Sequence, residues 1–171
     1  MNELGLHDRR QLDAAQGWLE LGNDVEATRE LEGIAARNRD HPAVLEVRWH
    51  ICARARKWEA ALELASALIQ LAPEHPLGWV HRSYCLHELK RTEEARDNLL
   101  RVVEKFPDDP IMRYNLACYY CRLGRLDQAR TWLQKAFVVA DKATMKEMAL
   151  NDPDLEPLWK ELRAGESPLL G

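Results

Sequence analysis

The chain has 171 residues, 46% hydrophobic and 30% charged, with a formal net charge of −4. That length and usage exclude disorder and fit one domain able to bury a core without staples. The acidic balance argues against nucleic acid as a partner, because neutralising its backbone takes a clustered excess of Lys and Arg.

The first residues, MNELGLHDRRQLDAAQ, reach charged side chains at once and hold no apolar run long enough for a signal peptide or a membrane span. Residues 1–7 read as a tail, and the expected setting is the cytoplasm, with no membrane contact. Cys52, Cys85, Cys118 and Cys121 are then expected as reduced thiols. Ala, Leu, Glu and Arg dominate and no alternating β-branched run occurs, so the expected class is all-α.

From Asp8 the chain repeats every 34 residues, giving rows 8–41, 42–75, 76–109 and 110–143. "DHP" ending at Pro42, "EHP" at Pro76 and "DDP" at Pro110 punctuate the rows. Proline suits the first position of a helix, where its missing N–H loses no bond, and an acidic group just before it suits the helix dipole. Alanine recurs at Ala27, Ala61, Ala95 and Ala129. Leu31, Ala65, Leu99 and Leu133 follow four places later, and Ile34, Leu68, Val102 and Ala136 seven places later. That spacing is one apolar stripe on a helix. The first half of each row carries its own stripe, such as Leu116, Ala117, Tyr120 and Leu123 in the last. Turns at Gly22-Asn23-Asp24, Arg56-Lys57, Lys90-Arg91-Thr92 and Gly124-Arg125 separate the halves, with Asp24 and Thr92 as the expected caps. Each row reads as a helical hairpin.

The period, the two-helix unit and the alanine and proline columns resemble the tetratricopeptide repeat family, most closely in "NLACYYCRLGRLDQARTWLQKA". Trp49, where a small residue is usual, and Arg48 and Arg82, at an apolar place, depart from the pattern. The resemblance implies a right-handed superhelical stack of hairpins, a TPR-like α-solenoid. It also implies a non-catalytic scaffold or adaptor that holds a peptide segment of a partner protein in a concave groove lined by the first helices. The residues opposite the packing stripe, and their flanks, form the expected groove. They are Arg9, Leu12 and Gln16 in the first row, and Glu46, His50 and Arg54 in the second. The third supplies Leu77, Val80, His81, Tyr84 and His87, and the fourth Ile111, Tyr114, Asn115, Cys118 and Arg122. A branch of the family clamps chaperone carboxylate tails with Lys, Arg and Asn. Here Glu46, His50, Val80 and Tyr84 fill those places, so such a tail is not the expected ligand.

Residues 144–171 break the period and are expected to form capping helices, Lys142 to Leu150 and Leu155 to Leu162, over the apolar end of the array. A sharper alternative is that "LNDPDLEPLWKEL" folds into the groove. The chain shows no phosphate loop, nucleophile elbow or His-Glu-x-x-His, so no enzyme activity and no cofactor are expected. Two alternatives to a scaffold stand beside it. One is self-association into a homo-oligomer through the first hairpin or Trp159; the other is a metal or thiol-switch protein using Cys118, Cys121 and His87.

Overall fold

The computed structural model of the chain describes residues 3–164. Ten α-helices, three 3-10 turns and no strands make up the described residues. The chain divides into two compact units between Cys85 and Leu86.

The first unit holds α1 (Leu6–Glu20), α2 (Asp24–Glu32), α3 (Pro42–Arg54), α4 (Trp58–Leu71) and most of α5 (Pro76–Glu88). Helix α1 packs on α2, α3 packs on α4, and α3 also contacts α1 and α2. Leu12, Ala15, Leu31, Ile34, Val44 and Val47 form one buried cluster, and Trp49, Ala61, Ala65 and Cys85 another.

The second unit continues with α6 (Thr92–Leu100), α7 (Pro110–Arg122), α8 (Leu126–Val139), α9 (Lys142–Asn151) and α10 (Trp159–Arg163). A 3-10 turn, Pro153–Leu158, joins the last two and packs on α7. Leu155, Leu158 and Leu162 are completely buried.

The repeat columns explain the packing. Ala27, Ala61, Ala95 and Ala129 are each fully buried, because only a methyl group fits where the helices of a hairpin approach closely. The leucine column is buried in every row, and each leucine so covered stabilises the fold by about 1.5–3 kcal/mol. All four hairpin turns pass through the left-handed backbone region, at Gly22, Arg56, Lys90 and Gly124.

Helix starts follow the expected punctuation, with two corrections to the caps. Pro42 and Pro110 occupy the first turn of their helices, and the Asp109 carboxylate accepts from Met112 N at 2.8 Å. His41 and His75 cap in the same manner, each Nδ1 accepting from the backbone N–H two residues on. The α2 cap, however, is Asn23, which accepts from Glu26 N at 3.1 Å, and Asp24 is already inside the helix. Thr92 is likewise inside α6; its hydroxyl is engaged with His87.

Candidate functional site

The expected groove residues separate into two clusters and several positions outside either. On α1, Arg9 and Gln16 are exposed, while Leu12 is buried in the core with Ala15 and Leu31. Leu12 is therefore a packing residue, because the inner side of α1 also faces apolar neighbours. Arg54 is exposed but turns to α2, with Nε 2.8 Å from Asp24 Oδ1.

The first cluster belongs to α3 and α5 of the first unit. Glu46 and His50 lie one turn apart on α3, and His81 comes from α5. The His81 ring stacks on Trp49, centroids 3.5 Å apart and planes within 6°, and meets the His50 ring edge-on at 5.4 Å. Trp49 is itself fixed by donating Nε1–H to Cys85 Sγ at 3.3 Å. This is the physical account of its departure from the repeat pattern: a large indole there forms the platform for a histidine. Tyr84 completes the edge, 40% exposed, with its ring 5.6 Å from that of Trp58. Leu77 and Val80 are half-buried on α5. Burial, reinforced by the charge of His50, lowers the pKa of His81 to about 3 and keeps its ring neutral.

The second cluster lies on α7 and the end of α5. Tyr114 donates its hydroxyl to Asp152 Oδ2 at 2.7 Å, and the Cys118 thiol donates to the same oxygen at 3.4 Å. Asp154 stands 2.8 Å from His87 Nε2 and 3.4 Å from Arg122 Nε. The other Asp152 oxygen accepts from Asp154 N, which turns the Asp-Pro-Asp stretch so that both carboxylates face the helices. Tyr114, Cys118 and His87 are thus buried, with Ile111, Asn115 and Arg122 open or half-open beside them. The C-terminal segment covers the face expected to be open.

Burial, then the Asp152 carboxylate, drives the Cys118 thiol well above its ordinary pKa; burial and Asp154 raise Cys121 to about 11. Burial first, then Cys118 and Asp152, likewise push the Tyr114 phenol far up. These groups are held neutral, and Tyr114 and Cys118 serve as hydrogen-bond donors, not nucleophiles. All four cysteines are free thiols. Among the described residues, the metal-compatible group is Glu46, His50 and His81, and Cys118, Cys121 and His87 do not assemble into one.

Sequence reasoning held the folding of "LNDPDLEPLWKEL" against the first helices only as an alternative, and did not single out Asp152 and Asp154 as partners of α5 and α7. A signal was present: from Leu116 to Cys121 every residue of α7 is apolar or aromatic, more than a full turn, as in a helix covered on every side.

Residues 53–110 and 91–141, together more than half of the chain, match the tetratricopeptide repeat family. The chain belongs to the tetratricopeptide repeat family. Its fold is that of TPR solenoid proteins, an architecture of protein-interaction scaffolds. Among solved structures it is similar to TTC0263, a thermophilic TPR protein of Thermus thermophilus. That match has a TM-score of 0.75 at 18% identity, over 91% of this chain and 83% of the other. It is also similar to MamA 41-end from Desulfovibrio magneticus RS-1, with a TM-score of 0.69 at 21% identity over 92% of each chain. No curated protein matches. Like other TPR chains, this one is built of helical hairpins, and no described helix is long and apolar enough to cross a membrane.

Proposed function

We propose that the chain is a non-catalytic adaptor that holds a segment of a partner protein on the first-helix face of its first unit. There Tyr84, His50 and Glu46 present an aromatic and polar surface on rigid helices. The observation that supports this reading is the contrast between the two units. On α7 the corresponding face already holds a peptide, the chain's own Asp152–Asp154 stretch, through a phenol, a thiol, an imidazole and a guanidinium.

That contact is the chain's own example of a first-helix face holding a capped turn of chain. Side chains preset by helix packing lose little entropy when the segment arrives. It also supports a capping role for the C-terminal segment, since Leu155, Leu158 and Leu162 are buried while the two aspartates engage polar groups of the helices beside them. A reducing compartment such as the cytoplasm suits four free thiols.

The test is capture from native extract by wild type, Tyr84→Glu and a control, Val138→Glu, at a position 81% exposed on α8. Tyr84→Glu is expected to lose the captured protein with unchanged helicity, and the control to keep it. Equal capture by all three would sink the reading.

Self-association is a second reading, because Leu6, Leu21 and Val25 stand 69%, 77% and 64% exposed in the first hairpin. Sedimentation of wild type against Leu21→Glu decides it: a monomer at high concentration removes the idea.

A further inference from the structure

The structure assigns a transition-metal site to the chain: we infer that Glu46, His50 and His81 bind one Zn²⁺ ion, with a fourth position open to water or to a side chain of a partner. One ligand-type atom from each of the three residues lies within 4.8 Å of the others. A tetrahedral Zn²⁺ with bonds of 2.0–2.1 Å needs ligand atoms about 3.3 Å apart. Rotation of the exposed His50 and half-buried Glu46 side chains closes that gap, since neither is locked in the core.

Three features make this more than a chance meeting of ligand types. Glu46 and His50 are separated by four residues on α3, so both project from one helix face towards α5. His81 is only 6% exposed, and its Nε2 is buried with no hydrogen-bond partner. Buried polar atoms are nearly always satisfied, and an orphan of this kind calls for a missing partner. With the ring proton on Nδ1, Nε2 carries a lone pair, and a metal cation is a partner that accepts it. Finally, the Trp49 stack fixes the ring plane, a preorganisation that a merely packed histidine does not need.

The ligand chemistry sets the ion class. Two imidazoles and one carboxylate suit Zn²⁺ and its neighbours in the first transition row, whereas Ca²⁺ and Mg²⁺ take oxygen ligands. Two histidines and a glutamate with an open position is a donor set that zinc accepts readily. This inference does not depend on the adaptor reading, because the ion is measured on the isolated chain without any partner.

The experiment uses the full chain, free of any affinity tag and stripped with chelator, kept reduced and titrated calorimetrically with Zn²⁺. A parallel titration with Co²⁺ is followed by visible absorption. One equivalent is expected to bind saturably. His50→Ala and Glu46→Gln are each expected to weaken it by about tenfold or more. Both positions lie outside the core, and circular dichroism checks that helicity is retained. His75→Ala, on the linker before α5, is expected to leave the affinity unchanged. Absence of one-equivalent binding by wild type would overturn the site. So would an affinity that neither His50→Ala nor Glu46→Gln alters, or one abolished by Cys118→Ser instead.

Discussion

Tyr114 on α7 donates its hydroxyl to Asp152 at 2.7 Å, joining two residues 38 positions apart in the chain. Tyr114 is buried on the helix against which the 3-10 turn packs, so loss of its acceptor leaves a polar group without water. Asp152→Ala is expected to destabilise the protein by about 1–3 kcal/mol in urea unfolding, the cost of an orphaned buried donor. Tyr114→Phe removes the donor itself, leaves Asp152 to the Cys118 thiol and to water, and should cost less. Equal costs, or none, would mean that the bond does not hold the segment.

Acid should loosen the same segment through Asp154. Burial alone raises this carboxyl, but the hydrogen bond from His87 and the charges of His87, Arg122 and Lys90 outweigh it and hold its pKa below the ordinary 3.8. A carboxyl lowered on folding contributes stability that is complete above 3.8 and is lost as pH falls through its folded value. Amide protection over residues 152–163 should therefore be constant from neutral pH down to about 4 and decline below it. Asp154→Asn should lack the part of that decline due to this group. An identical acid profile in the variant would contradict the assignment.

Thiol chemistry gives a third expectation. Cys121, raised to about 11, and Cys118, raised well above its ordinary value by burial and the Asp152 carboxylate, are almost entirely protonated at neutral pH. Alkylation of either by iodoacetamide should be slow in the folded protein and rise to the free-thiol rate in denaturant. Rapid native labelling at Cys118 would revive a redox role.

The hairpin turns supply a fourth. Arg56 and Lys90 adopt φ of 55° and 65°, where side-chain-bearing residues are strained, while Gly22 and Gly124 take the same place without cost. Lys90→Gly should stabilise by about 0.5–1 kcal/mol, the relief of strain being partly offset by a freer unfolded chain. Gly124→Ala should lose about 1 kcal/mol or more by the same reasoning. Thermal melts that order these variants oppositely would refute it.

The architecture was legible because its determinants are local and periodic. Small residues at Ala27, Ala61, Ala95 and Ala129, with the columns four and seven places on, mark the buried stripe of each second helix. Prolines mark Pro42, Pro76 and Pro110 as helix starts, and even the short helix expected at Lys142 to Leu150 ends only one residue later. The site was legible in part. Sequence reasoning chose His50, His81 and Tyr84 for one face, and their rings gather around Trp49. It placed Tyr114, Cys118 and His87 on an open wall because helical spacing says which residues share a face, not what covers that face. Asp152 and Asp154 reach them across the chain, and no periodic pattern encodes a contact of that kind. Leu21, which holds in the first row the stripe position that Leu123 holds in the last, is 77% exposed, since the helix ends at Glu20 and the chain has already turned.

Site-specific photo-crosslinking tests the central claim most directly. A benzoylphenylalanine is introduced in turn at positions 84, 122 and 138, and the chain is irradiated in native extract. The account expects position 84 to crosslink a partner protein, position 122 to crosslink the chain's own stretch around Asp154, and position 138 to give neither. Partner crosslinks from position 138 with none from 84, or free access of partners at 122, would contradict it.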